Sequence, residues 1–467
     1  MNSEGNLSEE SISADVFRAY DIRGSVGTGG LTVDLAYAIS LAIGSEVREQ
    51  GQKAIVVGYD GRLSSPELTA ALVRGLCATG LTVLNVGMVP TPLLYFATNQ
   101  LETNSGVMVT ASHNPGHHNG FKIVLDGKTL TGQGIAALRM RIQERRFIRG
   151  KGKQIHIDIL QDYEDFVLKQ IQLKRHLKIV VDCGNGVAGK IAPDFYRKLG
   201  CEVVELFCEV DGRFPNHHPD PTIPENLIDL IYTVKKTVSD IGLAFDGDAD
   251  RLGVVTNKGE IIWPDRQMML FSMDLLSQLP GSDIIFDVKC SRHLSEVIKK
   301  HGGNPVMWRT GHSVLKAKLF EINAPLAGEM SGHIFFKDEW FGFDDGIYVG
   351  ARLLRIISQK DKSASEIFMN LPNSINTPEL RLPIAEQEKS IFMKKLIEQA
   401  NFSEAKLITL DGLRVEFQNG WGLIRPSNTS PCLILRFEAN TESELKRILN
   451  IFRTQLLKVN NTLRLPF

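Results

Sequence analysis

Cysteine is scarce and never clustered. Cys77, Cys183, Cys201, Cys208, Cys290 and Cys432 are the only six in 467 residues, and no two form a Cys-x-x-Cys pair. That excludes a zinc or disulfide framework and fits reduced cytosolic thiols. Charge of one sign is also lacking. A net charge of -1 without a long basic run argues against a nucleic-acid surface, while leaving room for a local basic cleft around a small anion. Long hydrophobic runs are missing: the apolar stretch at 35–43 falls far short of the roughly 20 residues a membrane helix needs. The first ten residues, MNSEGNLSEE, are acidic and polar, unlike a secretory or transit peptide. A soluble, cytoplasmic protein is expected, with neither nucleic acid nor a membrane as partner.

What is present is ordinary globular composition, 43% hydrophobic and 23% charged. The length allows three or four domains at roughly 100–200 residues each. Apolar spacing predicts helices at 33–49, 65–78 and 92–99, alternating with strands at 54–58, 81–86 and 105–110. Another strand is expected to begin at Lys122. Alternating strands and helices point to a largely parallel sheet covered by helices. The pattern breaks near 150–153, read as a linker. It resumes with strands at 177–182, 201–207 and 241–245, and again from 283 to 327. Each of these three stretches ends its final strand in a short polar loop, so one plan is repeated. After a second linker-like stretch at 371–378, strands alternate more and are joined by short turns, as in a small antiparallel α+β domain. The expected domains are 1–157, 158–260, 261–372 and 373–467.

The polar loops carry the chemistry. Thr110 to Pro115, TASHNP, follows a buried strand and places Ser112 and His113 on a bend at its C-terminal end, where open α/β sheets hold ligands. Ser112 reads as an oxygen nucleophile or phosphoryl carrier; an ordinary turn is the alternative. Asp246 to Arg251, DGDADR, sets three carboxylates at alternating positions just past a strand. Left unpaired they would repel, so a hard divalent cation is the economical explanation. An EF-hand is excluded, because Arg251 stands where its loop needs glycine and Asn257 where it needs glutamate. Glu329 and Ser331, between Gly328 and Gly332, suit a loop that grips a sugar diol. Arg425, Ser427, Asn428 and Thr429 combine a forked cation, hydroxyls and turn amides: a phosphate cradle, or else a surface turn. Gly184 to Gly189, GNGVAG, is a formal G-x-G-x-x-G with Glu205 downstream. It keeps an NAD-dependent dehydrogenase as the runner-up, although it explains none of the other loops.

TASHNP, DGDADR, GEMSGH and RPSNTSP, in that order, resemble the α-D-phosphohexomutase superfamily. The runs FRAYDIRG, NGFKIV, VDCGNGVAG, FPNHHPDP, FDVKCSRH, TGHS and FFKDEWFGFDDG narrow the resemblance to its bacterial phosphomannomutase/phosphoglucomutase branch, over nearly the whole chain from Phe17. The resemblance implies three tandem α/β domains with mixed sheets plus a C-terminal α+β (TBP-like) domain around a central cleft. It implies a phosphoserine at Ser112 that exchanges phosphoryl groups with hexose 1- and 6-phosphates through a hexose 1,6-bisphosphate, which is intermediate and activator. One Mg²⁺ would be held by Asp246, Asp248 and Asp250 against Ser112. Arg23, His113, Lys122 and His333 would steady the phosphoryl group or move the hydroxyl proton. Tyr20, Arg251, Lys289 and His312 would line the cleft, with Glu329 and Ser331 on the sugar and Arg425, Ser427, Asn428 and Thr429 on the non-reacting phosphate. Sugar phosphates are the expected partners and a monomer the expected state. Two positions depart from the family's pattern: Ala249, usually glycine, and Pro426, often a small residue. A sugar-phosphate sensor with a decayed site is the rival from another class, and a turnover assay separates the two.

Overall fold

A computed structural model describes residues 14–18, 21–399, 401–402, 405–427 and 430–467. The chain divides into two compact units: Met1–Pro264 with Ser331–Phe368, and Asp265–Met330 with Met369–Phe467.

The first unit contains two sheets. In one, Ala54–Tyr59 runs parallel to both Thr82–Met88 and Gly106–Val109. Gly106–Val109 turns back antiparallel into His118–Leu125, which pairs in turn with Ile22–Ser25. Successive strand residues face opposite sides. Ile55, Val57, Val83, Val107 and Val109 therefore join the core built with helices Val33–Glu49, Ser65–Ala78 and Gly132–Gln143. Gly58 and Gly106 face the other way, against Leu94 and Thr98 of helix Thr91–Gln100. The second sheet has parallel strands Leu177–Asp182, Cys201–Leu206 and Ile241–Phe245, extended by antiparallel Leu252–Thr256 and Ile261–Ile262. Helix Gly346–Ser358, capped by Asp345 accepting from the Tyr348 amide at 2.9 Å, packs on this sheet with Gly350 against Leu243, and the Tyr196 hydroxyl of helix Ala192–Lys198 donates to the Ile347 carbonyl.

In the second unit, Asp283–Asp287 lies between parallel Asn304–Trp308 and Leu326–Gly328. Its other sheet is antiparallel, with Lys406–Ile408, Leu413–Phe417, Gly420–Pro426 and Cys432–Ala439 in order. Helices Glu386–Gln399 and Glu442–Val459 cover one face of it around Phe392, Leu396, Phe437, Phe452 and Leu456. Trp421 and Leu423 instead pack with Val288. The Arg414 guanidinium stacks 3.7 Å over Trp421 and donates to the carbonyls of Val288 and Cys290.

Short strands touch both linker-like stretches. Lys153–His156 pairs parallel with Thr82–Met88, and Gly150 bridges Thr79. Ile375–Asn376 pairs with the Glu438–Ala439 end of Cys432–Ala439. The strand expected to begin at Lys122 already begins at His118, which places Lys122 opposite Met108 within the ladder. Among the described residues, no helix is long and apolar enough to cross a membrane.

Candidate active site

Ser112 sits just beyond strand Gly106–Val109 with a φ of 51°. That left-handed conformation is uncommon for a residue with a side chain and costs on the order of 1–3 kcal/mol where the surroundings enforce it. Arg62 enforces it. Its buried guanidinium donates to the carbonyls of Ser112 (2.6 Å), Asn114 (2.6 Å), Pro115 (2.7 Å) and His118 (3.0 Å). Asp60 anchors Arg62 at 3.1 Å and also accepts from Thr110, whose hydroxyl oxygen receives the Ser112 amide. The loop is thus fixed on its backbone side and the Ser112 hydroxyl faces the other way. Its Oγ donates to Asp246 Oδ2 at 2.7 Å and lies 3.2 Å from His113 Nδ1. Gly247 makes this approach possible, because a Cβ there would collide with the Ser112 carbonyl.

Asp246, Asp248 and Asp250 follow strand Ile241–Phe245 and are all buried. Each offers a carboxylate oxygen, and these oxygens lie within 4.8 Å of one another. Lys122 Nζ contacts Asp248 Oδ2 at 2.6 Å and also Asp250 Oδ2. Arg251 Nε donates to Asp246 Oδ2 at 3.1 Å, and its Nη1 lies 3.5 Å from Asp220. Burial raises the Asp246 carboxyl to about 7 against the opposing charge of Arg251. For Asp248 burial also acts upward, but the Lys122 ammonium outweighs it and holds the group below the usual carboxylate range. His113 is held well below the usual imidazole range by burial and by Arg251, so it is neutral near pH 7.

A divalent cation fits this donor set. Among the described residues, Asp248 Oδ1 and Asp250 Oδ1 are buried oxygens without a hydrogen-bond partner, Asp250 Oδ1 lying 3.6 Å from His333 Nδ1. Lys122 and Arg251 offset only part of the three carboxylate charges. An all-oxygen triplet is the chemistry of hard cations such as Mg²⁺ or Ca²⁺. A second group, Asp250, His333 and Asp344, also lies within ligand distance of itself. There, however, His333 Nδ1 already pairs with Asp344 Oδ2 at 2.8 Å. Asp344 is fully buried, and as a carboxylate it can only accept here, so that Nδ1 carries the hydrogen and Nε2 is the basic nitrogen of neutral His333. Next to the serine loop, Arg23 Nη1 donates to Asn114 Oδ1 at 3.0 Å and Nη2 pairs with Asp21.

Ser112, Arg23, His113, Lys122, Arg251, His333 and the aspartate triplet, with half-buried Ser331, thus all belong to the first unit. Lys289, His312, Glu329, Arg425 and Ser427 belong to the second. There Glu329 accepts from the Gly311 amide at the start of helix His312–Glu321. Lys289 pairs with Glu379 at 2.9 Å and lies 3.7 Å from Asp287. Burial acts to lower the Lys289 ammonium, but these carboxylates, Glu379 foremost, carry it above its usual range. Arg425 Nε donates to Asp411 at 2.9 Å. Beyond Arg425, Lys389 Nζ donates to the carbonyls of Ser427 and Ser430. Tyr20, Asn428 and Thr429 lie outside the described residues.

The G-x-G-x-x-G stretch has a structural explanation. A Cβ on Gly186 would press on Gly247, and one on Gly189 would overlap the Cys208 carbonyl. Glu205 pairs with Arg197. Residues that sequence reasoning passed over are Asp60, Arg62, Thr91, Asp220, Asp344, Lys389 and Asp411. Asp220 and Asp344 lie in the runs FPNHHPDP and FFKDEWFGFDDG, which drew notice without a role for either. The burial that makes Arg62 a hub leaves no local signal.

Comparison with known proteins agrees with the geometry. Family models described as phosphoglucomutase/phosphomannomutase, alpha/beta/alpha domains I, II and III, match residues 14–149, 158–259 and 263–375. The C-terminal domain model of the same family matches 379–455. A phosphomannomutase/phosphoglucomutase of Pseudomonas aeruginosa is 54% identical over 98% of both chains. A phosphoglucomutase of Neisseria gonorrhoeae is 52% identical over 95% of this chain and 97% of its own. The crystal structure of a phosphoglucomutase/phosphomannomutase family protein from Burkholderia thailandensis superposes with a TM-score of 0.93, at 51% identity over 97% of this chain and 99% of that one.

Proposed function

Because the chain belongs to the phosphoglucomutase/phosphomannomutase family, we propose that it interconverts the 1- and 6-phosphates of glucose and mannose through a phosphoserine at Ser112. The observation that carries this reading is the Ser112 hydroxyl held 2.7 Å from Asp246 at the mouth of a buried carboxylate triplet. No surface turn needs three buried carboxylates against one serine.

In the forward direction the phosphorus–Oγ bond of phosphoserine breaks as a bond forms from phosphorus to the free sugar hydroxyl, giving the 1,6-bisphosphate. The hydroxyl proton leaves at the same time. His333 suits that proton, because Asp344 fixes its Nδ1 hydrogen and leaves Nε2 basic. Lys122 stays an ammonium between Asp248 and Asp250 and supplies positive charge. Arg23 adds a fork of donors for the phosphoryl oxygens, and neutral His113 a hydrogen bond to Oγ. After the bisphosphate turns, Ser112 takes the other phosphoryl group and the same contacts act in reverse. Asp246, Asp248 and Asp250 would hold Mg²⁺, which when bound neutralises charge on the transferring phosphoryl oxygens.

Glu329 and Ser331 would grip O3 and O4, and Arg425, Ser427, Asn428 and Thr429 the non-reacting phosphate. Tyr20, Arg251, Lys289 and His312 would complete the binding surface. A grip on O3 and O4 does not sense C2, so both epimers should turn over. The reading extends to a cytoplasmic monomer with four domains at 1–157, 158–260, 261–372 and 373–467.

Intact mass spectrometry and a coupled mutase assay test it. Purified protein should carry one phosphate, absent from Ser112→Ala, and that variant should lose turnover by orders of magnitude. Near-normal turnover by Ser112→Ala removes the phosphoserine from the reaction. A preference beyond about a thousandfold for one epimer, on the order of 4 kcal/mol, refutes the O3/O4 grip.

A further inference from the structure

We propose that Asp411 is a positioning residue: it aims the Arg425 guanidinium and joins the phosphate clamp to the sugar-gripping loop. The inference rests on the reading of Arg425 as the clamp and goes beyond it, because it assigns what holds that side chain in a usable orientation.

One carboxylate oxygen does two things. Asp411 Oδ2 accepts from Arg425 Nε at 2.9 Å and from the Thr310 amide at 3.0 Å. Arg425 is 4% exposed, and its Nη2 has no hydrogen-bond partner among the described residues. With Nε taken, the Nη1 and Nη2 edge remains for a tetrahedral anion. A guanidinium is rigid and planar, so fixing Nε sets the direction of the whole fork. A carboxylate next to an anion site is electrostatically unfavourable, so its contribution must be orientation.

The turn is built for this contact. Gly412 has a φ of 84°. A Cβ there would run into the Ile424 carbonyl and the Arg425 backbone, so the Asp411–Gly412 turn lies flat against the strand that carries Arg425. On the other side, Thr310 leads into Gly311, whose amide donates to Glu329. The Thr310 hydroxyl donates to Asp287 Oδ2 at 3.2 Å. Asp287 Oδ1 receives the amides of Lys289 (3.2 Å) and Met330 (3.3 Å). Asp411 therefore closes a chain of bonds from the phosphate clamp to the loops bearing Glu329 and Lys289.

The test is steady-state kinetics of the full-length Asp411→Ala and Asp411→Asn enzymes with glucose 1-phosphate and mannose 1-phosphate, together with calorimetric titration of inorganic phosphate. Asp411→Ala should raise KM by about 10- to 100-fold for both substrates, on the order of one or two good hydrogen bonds to a charged group. Its kcat should stay within about threefold, because the phosphoryl-transfer groups are elsewhere in the chain. Asp411→Asn retains one acceptor oxygen and should fall between the two. In an Arg425→Ala background, Asp411→Ala should add less than about twofold, since the orienting residue has nothing left to orient. A merely structural role would lower the yield of active enzyme without this split or this non-additivity. Unchanged KM in Asp411→Ala, or effects that multiply independently with Arg425→Ala, overturns the proposal. If the wild type binds inorganic phosphate in an Asp411- and Arg425-dependent way yet turns over no sugar phosphate, the mutase reading fails while this inference stands.

Discussion

Replacing Lys122 with methionine should show what keeps three buried carboxylates together when no divalent cation is supplied. Lys122 is 4% exposed, and its Nζ bridges Asp248 and Asp250, both buried. Methionine keeps the unbranched stem of the side chain and removes the terminal ammonium with its charge. Two aspartates then lose their common counter-ion, although Asp248 Oδ2 still accepts from the Thr91 hydroxyl at 2.5 Å. Removing one member of a buried ion pair costs about 3–5 kcal/mol. For a domain-sized transition that is roughly 2–4 °C per kcal/mol, or about 6–20 °C in Tm.

The sign of the cation's effect follows. In the wild type, Lys122 already offsets much of the carboxylate repulsion, so millimolar Mg²⁺ should raise Tm modestly. In Lys122→Met the same cation meets uncompensated carboxylates and should recover a large part of the loss. The assay is scanning calorimetry of both proteins in chelator and in Mg²⁺, following the transition that shifts, since a chain with several domains need not melt in one step. Two results would refute the reasoning. A variant melting with the wild type in chelator means that Lys122 is not the counter-ion. A Mg²⁺ shift no larger than the wild type's means that the triplet is not the cation's site.

The serine loop and one buried carboxyl give two more expectations. Arg62→Ala removes the donor to four loop carbonyls; kcat should fall at least about tenfold and protease should cut near Ser112 sooner, and wild-type kcat with unchanged cleavage would show the loop holds itself. Arg62→Lys should restore little, because a point charge cannot span four carbonyls. Burial raises the Asp345 carboxyl to about 7 from its ordinary 3.8, so its contribution to stability is full below about pH 4 and is lost as pH rises through about 7, by up to about 4 kcal/mol. Asp345→Asn, which keeps an acceptor for the Tyr348 amide, should flatten the stability decline between about pH 4 and 7; an unchanged slope in denaturant titrations would mean that the carboxyl is not the titrating group.

The alternation of strand and helix was readable because most strands here are buried and most helices amphipathic. Helix Val33–Glu49 and strand Ile241–Phe245 lie where apolar spacing placed them. The short strands at the two linker-like stretches left no mark in the sequence for a physical reason. Every residue of Lys153–His156 is exposed, so this edge strand has no buried face to mark it. Ile375–Asn376 is two residues long, too short for a period to register. The start of His118–Leu125 was hidden because Asn119 and Gly120 look like a turn. In the fold the Asn119 side chain bonds Ser64 and Ser65, and Gly120 lets the Ile22 and Thr110 carbonyls come close. At the site, residues clustered in the sequence were legible, whereas those that act across the fold were not. Asp60 and Arg62 lie some 50 residues from the loop they hold, and Asp411 meets Thr310 across about 100. Ala249 became clear only with the backbone in view: its φ of 61° explains why glycine is usual there, since a Cβ in that conformation costs roughly 1–2 kcal/mol.

The strain at Ser112 and the bonds around it bear on which partner moves during turnover. A mutase must offer one oxygen to phosphorus twice, with the sugar reversed between the two events. Either the serine loop or the bisphosphate has to reorient. Arg62 makes four hydrogen bonds to the loop's carbonyls and is itself paired with Asp60. Hydrogen bonds to a charged group contribute about 1.5–3 kcal/mol each, together well above the roughly 1–3 kcal/mol of left-handed strain they hold in place. A loop that gave up those bonds would leave a buried guanidinium unsatisfied, a loss of several kcal/mol. Loop motion is therefore the costly route at every turnover, and reversal falls to the sugar. A recognition scheme that reads O3, O4 and a phosphate, and leaves the reacting end unread, is what such a reversal requires. Crosslinking the serine loop to its own strand, for instance through a disulfide designed between positions whose side chains already meet, should then leave kcat within a few-fold of the wild type. Loss of turnover on oxidation, restored by reduction, would place the motion in the loop instead.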